Sequence, residues 1–95
     1  MNGDINLKAP SHIVRLAKDS TLQVSVRVGR NGITDSLITE IRDQLATRQL
    51  VKIKANRGIT DGSDERSELF ELLASQTDSK LVFQRGNVAV FWVGK

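Results

Sequence analysis

The residues with the clearest chemical potential form one tetrapeptide, Gly29-Arg30-Asn31-Gly32, which separates a valine-rich segment from an amphipathic one. Glycines at its two ends allow the backbone to take a positive φ and allow another backbone to approach closely. Between them, the Arg30 guanidinium can donate two hydrogen bonds to a phosphate, and the Asn31 amide can bond a ribose or a base edge. The tetrapeptide therefore predicts a phosphate-binding loop. A tight strand-to-helix turn that needs two glycines is the structural alternative, and the four residues by themselves leave both open.

Basic and acidic residues are segregated along the 95-residue chain, although its formal net charge is only +3. Residues 20–34, 44–60 and 79–95 carry net charges of +2, +4 and +3, whereas residues 61–78 carry −5. A chain solvated by mixed charge would interleave the two signs. Segregation is expected where one surface meets a polyanion such as nucleic acid. Chance clustering on a solvated surface is the plainer interpretation of the charges alone.

The residue types on which many enzymes and metal sites depend are scarce. The chain has no cysteine and a single histidine, His12, which excludes disulfides, cysteine-bound zinc and paired-histidine metal sites. The nucleotide-binding patterns GxxxxGKS/T and GxGxxG are absent, as is the aromatic pattern of RRM domains. Glu68 lies close in sequence to Asp64 and Glu71, but such carboxylates act as acid and base only in a concave apolar pocket, and a solvated helix face explains them more simply. We therefore expect no enzyme, no cofactor and no metal.

Nothing in the composition indicates a membrane or secreted protein. No run of about 18 apolar residues occurs, and the first residues lack the pattern of a signal peptide. We expect a cytoplasmic domain that has neither a membrane partner nor a small-molecule substrate.

Hydrophobic periodicity predicts seven elements in the order α-β-α-β-α-β-β. Apolar and polar residues alternate over 22–28 and 50–54, which is typical of half-buried strands, and apolar residues recur at helical spacing after Thr34. The predicted helices are one capped by Ser11 that ends near Asp19-Ser20, one from its N-cap Thr34 to about Arg48, and one capped by Ser63 or Asp64. The predicted strands are 22–28, 50–54, and a hairpin of strands 81–85 and 88–93 around Gly86-Asn87. The predicted apolar arcs are Ile13, Leu16 and Ala17 in the first helix, and Leu69, Phe70, Leu72 and Leu73 in the third.

These elements fit a single domain over residues 11–95, preceded by a flexible N-terminal arm over residues 1–10. Strand–helix–strand crossovers of one handedness place their helices on one face of the sheet and leave the other face uncovered. The residues predicted to line the uncovered face are Gln23, Ser25, Arg27, Lys52 and Lys54. If the first two strands are parallel, Lys54 and Arg57 lie beside Arg27 and Arg30 at the carboxyl ends of the strands, where open α/β sheets bind ligands.

The aromatic residues near the end of the chain give a second candidate contact. Phe91 and Trp92 are adjacent on a predicted strand, so their side chains point to opposite faces. One is expected in the core and the other is available to stack on a base. Burial is the favoured interpretation for Trp92, and Phe83 is expected in the core.

Four segments form a recognisable combination: the run from Leu22 to Thr34, the amphipathic helix after it, the strand Leu50-Val51-Lys52-Ile53-Lys54 and the closing segment from Arg85 to Phe91. Together they resemble a CRM domain, the module of YhbY-like proteins. The resemblance covers roughly residues 11–93. It implies a two-layer α-β-α-β-α-β-β domain with a four-stranded mixed sheet, similar to the C-terminal domain of bacterial translation initiation factor three. It also implies RNA binding through the Gly29–Gly32 loop, with free-standing members associated with the large ribosomal subunit or its precursors and tandem plant members with intron splicing. Two features depart from the family: the first helix is short, and Trp92-Val93 stands where an arginine more often follows the aromatic residue.

The leading hypothesis is that the chain is a non-enzymatic protein that binds structured RNA, specifically ribosomal RNA of the large subunit or its precursor. Ribosomal proteins are expected as further partners. The predicted RNA-binding residues are Gly29, Arg30, Asn31, Gly32, Arg27, Thr34, Lys52, Lys54, Arg57 and Arg85. The alternative is a protein-interaction module whose acidic third helix, with Glu68 and Glu71, docks a basic partner. A small hydrolase is the weakest hypothesis because no nucleophile–base pair is evident.

Overall fold

Seven elements follow one another in the predicted order. The computed structural model describes residues 9–56 and 62–94, and at residues 63 and 64 the backbone alone. The elements are α1 (Ser11–Lys18), β1 (Val24–Val28), α2 (Asp35–Leu45), β2 (Leu50–Ala55), α3 (Ser63–Gln76), β3 (Lys80–Arg85) and β4 (Val88–Trp92). Each differs from its predicted bounds by only a few residues.

The strands form a four-stranded mixed sheet in the order β1-β2-β4-β3. β1 and β2 are parallel, whereas β4 is antiparallel to both of its neighbours, β2 and β3. β3 and β4 are joined by the Gly86-Asn87 turn, in which Gly86 takes a φ of +58° that suits the first position of a two-residue hairpin turn. The predicted fold class, a mixed α/β domain with a four-stranded sheet, is confirmed.

The main core lies between the sheet and the two longer helices. Leu37 and Ile41 of α2 and Phe70 and Leu73 of α3 are buried against one face of the sheet, which we call the helix face. The sheet residues that they cover are Val26, Val28, Val51, Ile53, Ala55, Ala89 and Phe91. Every second residue of β2 belongs to this set, as the alternation in the sequence predicted.

The first helix packs on the opposite face, which we call the α1 face. Ile13 and Ala17 of α1 are buried with Val90 and Trp92 of β4 in a second, smaller cluster, which we call the α1-side cluster. The prediction of an uncovered sheet face is therefore wrong for the half formed by β3 and β4. It holds for Arg27 and Lys54, which lie beyond the part that α1 covers.

A β-bulge in β1 changes which residues share a face. Val24 pairs with Lys52 and Val26 pairs with Ile53, so that Ser25 is an extra residue between them. The Ser25 hydroxyl donates a hydrogen bond to the Gln44 side chain of α2, and Gln44 Nε2 lies 3.4 Å from the Ser25 carbonyl oxygen. The placement of Ser25 on the uncovered face is therefore wrong, because the bulge directs it to the helix side.

The helix starts follow prediction at α2 but not at the other two helices. Thr34 caps α2, and its Oγ1 accepts a hydrogen bond of 3.1 Å from the Leu37 N–H. The N-cap of α1 is Pro10, so Ser11 is the first helical residue, and the N-cap of α3 is Gly62 in place of Ser63 or Asp64.

Two leucines of the predicted apolar arcs are exposed. Leu16 of α1 and Leu72 of α3 keep 46% and 49% of their surface accessible. The prediction that they join the core is wrong, because the buried sides of these helices are narrower than their apolar patterns. Of the predicted N-terminal arm, residues 1–8 lie outside the described residues, and Ala9 is buried in the α1-side cluster.

Candidate nucleic-acid interface

Two loops flank the end of β2 at the edge of the sheet where β1 and β2 end. The Asn56 N–H donates a hydrogen bond of 2.9 Å to the Val28 carbonyl, which ties the end of β2 to the start of the Gly29–Gly32 loop. On the other side, the Ala55 N–H donates to the Asn87 carbonyl at 2.8 Å, and Asn87 Nδ2 donates back to the Ala55 carbonyl at 3.2 Å. The Gly29–Gly32 loop and the Gly86-Asn87 turn are therefore held on either side of the end of β2.

The Gly29–Gly32 loop is a closed four-residue turn. The Gly32 N–H donates to the Gly29 carbonyl at 2.9 Å, and Gly32 has a φ of +66°. Gly29 does not share this requirement, because its φ is not in the left-handed region and an added Cβ would lie 4.0 Å from Asn56 Nδ2, an ordinary contact. Only Gly32 is needed by the turn itself. The alternative of a turn that requires both glycines is therefore wrong, because the turn itself does not require a glycine at position 29.

The loop borders a shallow groove of about 290 Å³ between β1 and the start of α2. Arg30 and Asn31 are exposed at its rim, as is Arg27 from the end of β1. Thr34 and Glu40 contribute from α2. Because the Glu40 carboxylate repels an anion, the favourable end of the groove for a phosphate is the one with the two arginines.

Basic side chains cross the sheet beside this loop. Arg27 of β1 pairs with Lys54 of β2, Lys54 pairs with Val88 of β4, and Val88 pairs with Arg85 of β3. We call Arg27, Lys54 and Arg85 the cation row. Neighbouring strands lie about 4.8 Å apart, so the row runs for roughly 14 Å at right angles to the strands. All three side chains lie on the α1 face, in the part of that face that α1 does not cover.

The cations of the loop and the row are not neutralised within the part of the chain that the structure describes. Among the described residues, no carboxylate lies within ion-pair distance of Arg27, Arg30, Lys54 or Arg85. Arg27, Arg30 and Arg85 are also exposed. Four unneutralised positive charges close to one edge make that edge suited to a polyanion.

Comparison with known proteins agrees with this architecture. A family model, the CRS1/YhbY (CRM) domain, matches residues 11–92. The chain belongs to the CRS1/YhbY (CRM) domain family. One solved structure matches this fold with a TM-score of 0.64 and 29% sequence identity. The match covers 76% of this chain and 72% of the chain in that structure. It is the solution structure of the hypothetical protein SAV1595 from Staphylococcus aureus, provisionally described as an RNA-binding protein. No curated protein sequence matches the chain.

Two of the predicted site residues of this CRM domain have internal roles. Lys52 Nζ donates a hydrogen bond of 3.0 Å to the Leu22 carbonyl, which anchors the segment before β1. Thr34 uses its hydroxyl oxygen to cap α2. Lys52 also lies near Asp19, whose pKa is lowered mainly by hydrogen bonds from the Thr21 N–H and hydroxyl and further by the Lys52 charge. Arg57 lies outside the described residues of the CRM domain.

The favoured interpretation for Trp92, burial, is confirmed, and the alternative that one aromatic of the Phe91-Trp92 pair stacks on a base is wrong. Phe91 is fully buried on the helix face, and Trp92 keeps only 7% of its surface on the α1 face. The two side chains do point to opposite faces, but helices cover both faces at this end of the sheet. Trp92 is therefore part of the α1-side cluster and cannot stack on a base.

Sequence reasoning missed the two asparagines that organise this edge of the CRM domain. Asn56 and Asn87 join the ends of β1, β2 and β4 through the hydrogen bonds described above, and Asn56 Nδ2 is close to Gly29. The signal that marks them is their position, since Asn87 directly precedes a predicted strand and Asn56 follows another by two residues.

Metal and membrane sites are not indicated. Among the described residues of the CRM domain, no three His, Cys, Asp or Glu side chains gather in a way that could hold a metal ion. No helix in that part of the chain has the length and apolar character needed to cross a membrane.

Proposed function

We propose that this CRM domain binds RNA through the Gly29–Gly32 loop and the cation row. The observation that carries the proposal is the set of unpartnered cations beside a loop whose first glycine the fold does not need. The loop would contact phosphate and sugar with its backbone, with Arg30 and with Asn31. Membership of the CRM family and the provisional description of SAV1595 as an RNA-binding protein support the same assignment.

The finer proposal is that the RNA is structured ribosomal RNA of the large subunit or its precursor, bound by a ribosome component or an assembly factor. Its support is the resemblance to free-standing CRM proteins that associate with this subunit. Phosphate contacts position a protein on RNA without reading its sequence, so recognition by this surface is recognition of shape. No catalytic step belongs to the proposal.

The loop can be tested by changing both of its exposed side chains together. Arg30→Gln with Asn31→Ala is expected to weaken binding to large-subunit ribosomal RNA about tenfold or more, the effect of losing a charge-assisted hydrogen bond. Because both side chains are exposed, thermal unfolding should be unchanged. Arg48→Gln is the matched control, since Arg48 is exposed at the other end of β2 and its loss removes the same charge.

Equal affinities for the wild type, the double variant and Arg48→Gln would contradict the loop assignment. The identity of the RNA needs a separate measurement, crosslinking in cells followed by sequencing of the attached RNA. Enrichment of large-subunit ribosomal RNA is expected, and an even spread over transfer, messenger and ribosomal RNA would contradict the finer proposal.

One observation favours a second candidate, docking of a basic protein by α3. Leu72 and Glu68 are both exposed and lie one helical turn apart, so that an apolar and an acidic side chain share a surface. Charge reversal at Glu68 and Glu71 separates the two functions. Loss of association with ribosomal particles, with unchanged affinity for protein-free ribosomal RNA, would favour protein docking.

A further inference from the structure

One aromatic side chain differs from the others in its exposure. The chain has four aromatic residues, three phenylalanines and one tryptophan. Phe70, Phe91 and Trp92 are buried, at 0%, 0% and 7% exposure. Phe83 is half-buried, so that part of the residue's surface is accessible. It is therefore the aromatic residue that a ligand can reach.

The strand register places Phe83 on the α1 face. It pairs with Val90 of β4, which belongs to the α1-side cluster, and Phe83 itself packs against that cluster. A shift in register between Leu81 and Phe83 accompanies this placement, since Leu81 belongs to the helix-face core. Such irregularities commonly redirect a side chain. Phe83 thus packs against the cluster while part of the residue's surface stays accessible.

Phe83 lies next to the cation row on the same face of the sheet. Arg85 lies two residues further along the same strand and hence on the same face. Val88 pairs with Arg85, and Lys54 pairs with Val88. The surface therefore has an aromatic ring beside two cations, with an apolar valine between those cations. This arrangement suits a nucleotide, whose flat base can lie on the ring and whose phosphate groups can bind the cations.

We infer that Phe83 is a stacking platform for one unpaired nucleobase of the bound RNA. The inference rests on the proposed RNA binding and adds the kind of RNA that is preferred. Bases inside a continuous duplex are stacked on each other and cannot lie flat on a protein ring, whereas a bulged or loop nucleotide can. The domain then distinguishes an interrupted RNA helix from an uninterrupted one.

The test compares two RNA duplexes of 16 base pairs that differ by one bulged 5-iodouridine. Wild type is expected to bind the bulged duplex more tightly than the continuous one. Phe83→Leu, which keeps an apolar side chain against the cluster, should weaken binding to the bulged duplex about tenfold, as loss of a base–aromatic stack does, and leave the continuous duplex unchanged. Phe83→Tyr keeps the ring and should bind as the wild type does.

Photocrosslinking of the wild type gives a readout that does not depend on whether a variant folds. The iodouridine is expected to attach to the tryptic peptide of residues 81–85, Leu-Val-Phe-Gln-Arg, in which Phe83 is the aromatic residue. A crosslink confined to other peptides, or equal affinity of wild type for the two duplexes, would overturn the inference.

The two proposals fail in different ways. If Phe83→Leu binds the bulged duplex like the wild type while Arg30→Gln with Asn31→Ala weakens binding to both duplexes, the stacking platform is wrong and the loop remains. If the wild type binds neither duplex nor large-subunit ribosomal RNA, the proposed function itself is wrong.

Discussion

The two glycines of the loop are alike in sequence but different in what they do. Gly32 has a φ of +66°, and an alanine there would be strained by about 1–2 kcal/mol, although open space surrounds its Cβ position. Gly29 has ordinary backbone angles and room for a methyl group. The difference separates a glycine that the turn requires from one whose proposed role is to let RNA approach the backbone.

Gly32→Ala is therefore expected to lower the free energy of unfolding by about 1–2 kcal/mol. Gly29→Ala should leave that free energy nearly unchanged and weaken RNA binding, because the new methyl group keeps a phosphate from the backbone. Urea unfolding and RNA titration of both variants check the pair. Gly29→Ala with full RNA affinity would contradict close approach of RNA at this residue.

Asp19 gives the fold a dependence on pH. Its Oδ1 accepts hydrogen bonds from the Thr21 N–H at 2.9 Å and the Thr21 hydroxyl at 2.8 Å, and these bonds lower its pKa in the folded protein. A carboxyl whose pKa is lower when folded stabilises the protein above its unfolded pKa, near 3.8. That contribution is lost as the pH falls through the folded pKa.

Asp19→Asn should therefore melt below the wild type at pH 7, and the two melting temperatures should converge as the pH falls below about 4. Melting followed by circular dichroism between pH 7 and pH 3 measures this. A constant difference across the range would mean that the Asp19 charge has no part in the stability.

At the scale of elements, the start of α2 is stabilised by the Thr34 cap and also lines the groove beside the Gly29–Gly32 loop. Thr34→Ala removes the bond to the Leu37 N–H and is expected to lower the free energy of unfolding by about 1 kcal/mol. Thr34→Ser keeps the hydroxyl and should stay close to the wild type. Chemical unfolding of the two variants checks the cap, and equal losses in both would show that the methyl group, and not the hydroxyl, carries the effect.

Most elements could be predicted from the sequence because their signals are local. The alternation in β2 and the cap at Thr34 depend on residues within one strand or one turn, and both are confirmed. Lys54 was likewise correctly assigned to the face opposite the core. The local pattern of a sequence is sufficient to predict a strand or helix whose buried side chains follow the regular spacing of that element.

The differences from prediction arise from contacts between distant segments. Ser25 continues the alternation of β1 in sequence, yet the bulge and the side chain of Gln44 turn it to the helix side. Trp92 follows the alternation of β4 correctly, but its burial depends on where α1 packs. The half-exposed position of Phe83 has the same origin, so the proposed stacking platform could not be predicted from the sequence.

At the scale of the whole molecule, a net charge of +3 conceals a local concentration of positive charge. The cation row and Arg30 lie at one edge, whereas Glu68 and its neighbours occupy a separate helix. RNA affinity through such a surface comes largely from release of counterions, which makes it depend steeply on salt.

Lys54→Gln with Arg85→Gln should reduce the slope of log affinity against log salt concentration by roughly 1.5, because each lost phosphate contact contributes about 0.7–0.9. The matched control is Arg42→Gln with Arg48→Gln, which removes equal charge from exposed positions away from this edge. RNA titrations at several salt concentrations measure both slopes. The same decrease in the control would mean that net charge, and not the cation row, governs binding.

The irregular register of the two outer strands has a consequence for self-association. β1 and β3 are the margins of the sheet, and each has a shift in pairing, between Val24 and Val26 and between Leu81 and Phe83. A long, regular outer strand is a template on which another chain can add a strand, and this is a common route to aggregation. Outer strands of five and six residues with interrupted pairing are poor templates. Pairing of a second copy with either outer strand is therefore disfavoured.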